Sequence, residues 1–437
     1  MAKVRPFKAI RPAPALADKV AALPYDVMSS AEAREMVVGN PYSFLHVDKA
    51  EIDLPLGTDL YAPIVYETAK NNLYRMIEEG TFITDDKPCF YVYRQIMNGR
   101  AQTGIVGCAS IDDYMNNIIK KHELTRADKE EDRCRHVDIC DANTGPIFLT
   151  YKANEAINAV TAKYMALAPV YDFVSDGVAQ TVWVIDGEED ISIVAEAFDK
   201  TPCLYIADGH HRSASAVRVG KKRREQYPDY DGTEEFNFFL SVLFPDEQLY
   251  IMDYNRVVAD LNGNTEAQFM EKIGEKFTIA EMARPEKSLS EKHTFGMYLG
   301  GKWYKLSAKE GTFDATDAVE ALDVSILQKN LLSPILGIGD PRTDKRIDFI
   351  GGIRGIGELE KRVKEGMAVA FAMCPYLHRR ADGHCRRRKN YAPEEYLVRA
   401  EVTFRTVYPQ AFVKLILSPR ILLNTRLPYT RYCLHSC

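Results

Sequence analysis

The chain has 437 residues, 46% hydrophobic and 27% charged, with 56 Lys and Arg against 62 Asp and Glu and a formal charge of −6. This globular composition excludes a disordered, collagen-like or coiled-coil chain, and the absence of a long apolar run excludes a helical membrane span. The opening residues MAKVRPFKAIRPAP are basic but lack the apolar core of a signal peptide, so a cytoplasmic protein is expected.

In chain order, LPYD at Leu23–Asp26 leads into Ser29-Ser30-Ala31-Glu32, a capped helix start. Apolar residues at helical spacing predict a helix over Ala62–Ile77, stopped by Gly80. Phe90–Gln95 and Thr103–Ile111 read as a hairpin turned by Asn98-Gly99. A charged segment, Lys120–Arg135, precedes a strand at Ile147–Tyr151 and a helix over Ala153–Met165. Thr181–Ile185 and Cys203–Ala207 read as strands, Ser213–Val219 as the opening of a helix, and Phe236–Tyr250 as strand-like. Val257–Leu261 opens a new α+β stretch. It holds a hairpin of Phe295–Leu299 and Trp303–Leu306 across Gly300-Gly301, a helix at Leu322–Leu331 and a strand at Arg346–Ile350. Domain edges are placed near Asp253 and Asp323. Trp183 and Trp303 read as core or rim residues. Cys89, Cys108, Cys134, Cys140 and Cys203 form no CxxC pair, which predicts reduced thiols and no zinc site.

Three segments are candidates for chemistry. In LYIADGHHRSASA (Leu204–Ala216) an apolar strand ends in Asp208-Gly209, and His210, His211 and Arg212 follow at a helix start. Gly209 permits a tight turn, a helix N-terminus favours phosphate, and the three side chains add donors there. Asp208 is suited to hold a metal ion or orient a histidine; the plain alternative is a capped turn with solvated histidines. In HELTRADKEEDR (His122–Arg133), Glu123 is a candidate general base among cations, with Lys129 and Arg133 on one face if the segment is helical. The plain alternative is a solvated charged helix. The zinc-protease HExxH pattern is absent, because Arg126 stands four residues after His122. GGIRGIG (Gly351–Gly357) reads as a strand-to-helix turn or a phosphate loop, with Arg354 a candidate anion contact.

The segments PYDV, NPYSFLHV, HELTRADKEEDR, NTGPIF, YIADGHHR, DYNRVV and LDVSILQ together resemble the bacterial and archaeal family known as domain of unknown function 1015, from about Phe7 to Met373. The DGHHR signature is similar to that of the ParB/sulfiredoxin-like superfamily, which includes free-serine kinases whose DGHH turn binds phosphate. The resemblance implies a mixed α/β fold with a ParB/sulfiredoxin-like phosphate-binding unit and a second α+β domain. It also implies phosphoryl transfer on a small hydroxy amino acid, serine or phosphoserine, with Mg²⁺ and ATP or ADP. In that reading Asp208 places Mg²⁺, and Gly209, His210, His211 and Arg212 bind phosphate. Glu123 takes the hydroxyl proton, with Glu32 in reserve, and His122, Thr125, Lys129 and Arg133 hold the substrate. Cys at the position of His210 would mark a sulfiredoxin; its absence argues against that activity.

The stretch after Met373 departs from the family pattern. It carries ten Arg and two Lys against four acidic residues, a charge of +8, and four of the nine Cys, leaving −14 on residues 1–373. Back-translated and read one base later, Ala392–Pro409 yields PPKSTWFEPKLRSGLF, similar to the segment that ends family members. A frameshift near Met373 is therefore expected. On that reading DGHC at Asp382–Cys385 and RRRK at Arg386–Lys389 carry no function.

The expected organisation is a family core over 1–250, a second α+β region over 251–373 and a non-native tail over 374–437. The expected activity is a nucleotide-dependent serine kinase. A phosphoserine phosphatase using the same residues, a ParB-like nucleotide- or DNA-binding protein, and a ligand-binding protein without turnover remain alternatives. The acidic body argues against nucleic acid.

Overall fold

A computed structural model describes residues 1–121, 127–249, 254–285, 291–315, 320–321, 323–341 and 344–373. Among these the fold is mixed α/β, built on two separate sheets, of nine and six strands, with a two-stranded ribbon of Ile10–Pro12 and Phe82–Thr84.

The large sheet runs in the order Ile119–Lys120, Leu204–Asp208, Ile147–Tyr151, Phe238–Pro245, Arg100–Ser110, Phe90–Met97, Val178–Ile185, Tyr171–Ser175, with Val4–Arg5 paired to Arg100–Ser110. Two of its pairings are parallel, Leu204–Asp208 on Ile119–Lys120 and Phe238–Pro245 on Ile147–Tyr151; the others are antiparallel. Alternation splits the central strands between two cores. Phe90, Val92, Ile105 and Leu149 face one cluster, which the helices Glu155–Met165 and Glu188–Asp199 cover; Tyr91, Tyr93, Val106 and Phe148 face the other. Trp183 belongs to the first core and is 3% exposed.

The six-stranded sheet begins at Tyr254–Val258 and ends at Val369–Ala372. Residues on both sides of Asp323 share its main apolar cluster, so the chain has no break there. DYNRVV and LDVSILQ serve this core: Asn255 is fully buried and its Oδ1 accepts the Met373 amide at 2.8 Å, while Ile326 and Leu327 pack inside.

Local patterning accounts for most elements. The Asn98-Gly99 turn has positive φ at both residues, as a two-residue hairpin requires. Ser29 and Glu32 form a reciprocal capping box on the helix Ser30–Met36. Differences arise at element ends. The second hairpin strand runs over Arg100–Ser110, and Ile111 instead opens a short helix because the Ser110 hydroxyl caps the Asp112 amide. Phe236–Tyr250 contains a shorter strand, Phe238–Pro245, flanked by single 3-10 turns; Tyr250 lies outside the described residues. The helix expected at Leu322–Leu331 is α-helical over Asp323–Leu327 and widens to a π turn over Gln328–Leu332; Leu322 lies outside the described residues. The helix after DG starts three residues earlier than Ser213, at His210, which places both histidines and Arg212 in its first turn.

Candidate functional site

Gly209 joins the strand Leu204–Asp208 to the helix His210–Gln226 with φ +93°, a left-handed conformation that a side chain would strain. A Cβ there would also stand 3.2 Å from Arg212 Nε. Arg212 bends back across the turn: Nη2 donates to the Asp208 carboxylate and Nη1 to the Pro146 carbonyl at 2.5 Å. The Asp208–Arg212 pair thus locks the turn and ties it to NTGPIF. His210 is 6% exposed, and its carbonyl accepts from the Ser213 hydroxyl at 3.0 Å.

The charged segment is helical over Ala127–Cys140 and lies against His210–Gln226. Ser215 Oγ sits 2.6 Å from the His211 carbonyl and 3.0 Å from the Glu130 carbonyl, and Arg218 pairs with Glu130 and Glu131. Those contacts hold Lys129 and Arg133 in register with the DGHHR turn. His122, Glu123 and Thr125 lie outside the described residues, as does the whole of 374–437.

Between these elements opens a cleft of about 710 Å³. Asp208, Gly209, His210, His211, Arg212, Lys129 and Arg133 all line it, together with Glu32 and Arg354. A recess of about 40 Å³ shares Arg133, Asp208 and Arg212 with it and reaches Asn143 and Thr144 of NTGPIF. PYDV contributes Tyr25 and Val27, and Phe349, Gly351 and Arg354 come from the six-stranded sheet and the turn after it. GGIRGIG is a strand-to-helix turn: Gly352–Arg354 is a 3-10 turn and Ile356–Lys364 a helix.

The cleft cations differ in their commitments. Arg133 Nε donates to Asp132 Oδ2 at 3.0 Å, Nη2 lies 2.9 Å from the same oxygen as an ion pair, and the guanidinium stacks 4.1 Å from the centroid of Tyr25. Burial opposes this charge, but Tyr25, Asp132 and Asp48 outweigh it and hold the group above its ordinary range. Lys49 pairs with Glu51 at 3.1 Å, and Glu51 also accepts from Ser30. Lys129 is exposed and, among the described residues, donates to the Tyr61 hydroxyl at 3.2 Å. Arg354 keeps half its side chain exposed, with the Val27 carbonyl at 3.4 Å and Glu358 at 3.6 Å. Glu32, the reserve base, is held below the usual carboxylate range by the Ser29 amide and hydroxyl in the capping box, with Arg354 adding to the effect.

Sequence reasoning missed Asp48, Asp132, His136, Tyr61 and Tyr66, all of which line the cleft. Asp132 accepts from the Tyr66 hydroxyl at 2.8 Å as well as from Arg133. His136 Nε2 is 3.0 Å from the Val47 carbonyl, which can only accept, so Nε2 carries the proton. Burial, then Arg133, push this imidazole below its ordinary pKa and keep it neutral. For Asp48 the available signal was DKAE, charged residues directly after the apolar NPYSFLHV segment.

The five described cysteines are free thiols. Among the described residues no three His, Cys, Asp or Glu side chains cluster to hold a metal ion, and no helix is long and apolar enough to cross a membrane.

Residues 4–325 match the family described as protein of unknown function (DUF1015), and the chain belongs to that family. No curated protein matches it. Among solved structures, it is similar to a conserved hypothetical protein from Pyrococcus furiosus, at 13% identity and a TM-score of 0.29, over 63% of this chain and 80% of that one. It is also similar to a mutant free serine kinase in complex with ADP, at 13% identity and TM-score 0.30 over 65% and 81% of the two chains. A free serine kinase in complex with AMP aligns at 12% identity and TM-score 0.30 over the same shares.

Proposed function

We propose that the chain transfers a phosphoryl group between a nucleotide and a small hydroxy amino acid, serine first, in the cleft headed by the DGHHR turn. The observation that carries this reading is the convergence of a helix N-terminus with His210 and His211, Lys129 and Arg354 on one cleft of about 710 Å³. That volume suits a nucleotide-sized ligand, and a helix N-terminus beside cations suits its phosphates. The choice of serine rests on the resemblance of DGHHR to the turn of the free-serine kinases, and the same turn motivates a ParB-like phosphate-binding unit.

The serine hydroxyl oxygen attacks the transferred phosphorus, the bond to the nucleotide's leaving oxygen breaks, and the hydroxyl proton passes to a base. Glu123 is the candidate base from sequence; it stands four residues before the helix that carries Lys129 and Arg133. His210, His211 and the first turn's amides stabilise charge on the phosphoryl oxygens. Arg212 acts by holding Asp208 and the turn in place. Mg²⁺ that arrives with a nucleotide needs only one or two protein carboxylates, and Asp208 and Asp48 are the cleft-lining groups suited to it. It would neutralise phosphate charge.

The test is incubation with Mg²⁺ and either serine plus ATP or ADP, or phosphoserine alone, followed by mass spectrometry. Phosphoserine formed only with nucleotide supports the kinase; serine released without nucleotide supports the phosphatase. No conversion in either mixture, by this chain and by the chain read one base later after Met373, refutes both. A second arm repeats the assay on the chain read one base later after Met373, to ask whether that segment is needed for turnover. His211→Ala should abolish turnover with little change in melting, and Glu123→Gln should cut rate more than binding.

A further inference from the structure

Arg133, Arg212 and Lys49 each hold a carboxylate at 3.1 Å or less, so their charge is already spent within the fold. Lys129 and Arg354 are different. Lys129 meets a phenol, and Arg354 meets a carbonyl at 3.4 Å and a carboxylate at 3.6 Å, both loose for a guanidinium. Glu32, the other acid near Arg354, is engaged by the Ser29 amide at 2.7 Å. The two residues come from different bodies of the fold. Lys129 stands on the helix packed against the DGHHR helix, and Arg354 on the turn that leaves the six-stranded sheet. Both line the one cleft.

We propose that Lys129 and Arg354 form a clamp that grips the phosphate of the ligand from the two bodies, so that the ligand itself bridges them. This rests on the reading that the cleft takes a phosphorylated small molecule. An incoming dianion replaces weak contacts at Lys129 and Arg354, whereas at Arg133 or Arg212 it would compete with a carboxylate already held close. Phosphate affinity therefore resides in the two loosely held cations, and the tightly paired ones shape the site.

Isothermal titration of the full chain with ADP, and separately with phosphoserine, tests the clamp. Lys129→Ala and Arg354→Ala should each weaken binding about tenfold or more, since each removes a charge-assisted contact. Lys364→Ala, on the helix that follows Arg354 but outside the cleft, should bind like the parent. Arg354→Lys should retain part of the affinity, which separates loss of charge from loss of the Val27 contact. If the parent binds ADP or phosphoserine and both alanine variants bind it equally well, the clamp is wrong and the cleft reading stands. If the parent binds neither, the cleft reading fails and the clamp with it.

Discussion

Arg133→Ala separates a strut from a ligand contact. Arg133 and Asp132 keep side-chain exposures of only 11% and 10%, and a hydrogen bond and a 2.9 Å ion pair join them. Removing one partner of such a buried pair costs about 3–5 kcal/mol, because the remaining charge is left uncompensated. Two observations place the cost near the lower end. Asp132 keeps the Tyr66 hydroxyl at 2.8 Å, and it borders the cleft, where water can reach it. The lost stacking on Tyr25 adds about 0.5–1 kcal/mol. The sum is about 3–4 kcal/mol. The chain's two tryptophans lie one in each sheet, so a Trp303→Phe background leaves Trp183 to report on the large sheet alone. Urea unfolding followed by its fluorescence should show a lower midpoint with an unchanged slope. Lys129→Ala in the same background should shift the midpoint by less than about 0.5 kcal/mol, as exposed residues do. A loss below about 1 kcal/mol for Arg133→Ala would refute the assignment of Arg133 as a strut.

Further outcomes are expected. Gly220→Ala should destabilise the fold despite a gain of about 1 kcal/mol in helix propensity, because its Cβ would stand 2.5 Å from the Phe236 carbonyl oxygen and 2.7 Å from Ile111; a higher melting temperature would contradict this. Gly209→Ala should cost about 1–2 kcal/mol through its positive φ and weaken ADP binding by displacing Arg212; unchanged melting and binding would count against a strained turn. His136 has a folded pKa below its ordinary 6.5, so the unfolded chain binds the extra proton first and stability falls as pH drops below about 6.5. His136→Gln, which can still donate to Val47, should show a shallower loss of urea midpoint between pH 7.5 and 5.5; an equal slope would dismiss the histidine as a source. Burial, with Asp85 next, pushes the Cys89 thiol up to about 11, and burial followed by Asp48 pushes Cys140 to about 12. Both should resist alkylation in the native state, as read by peptide mapping, and rapid labelling of either would show that its surroundings open.

Much of this protein was written locally in its residues. Apolar spacing fixed the helix at Pro63–Glu78, Asn98-Gly99 fixed the hairpin, and Ser29 with Glu32 fixed a helix start, because these depend on neighbours a few residues away. The DGHHR turn was legible for the same reason: a strand, a glycine and donors in succession define its backbone. Which cations stay available was not legible. The partners that decide it are distant in the chain, with Tyr25 over Arg133, Pro146 beneath Arg212 and Val27 opposite Arg354, or depend on which rotamer packing permits, as between Arg133 and its neighbour Asp132. Sequence patterning records local backbone preference and burial, whereas charge pairing across a cleft is set only when two sheets and their helices bring those side chains within hydrogen-bond reach.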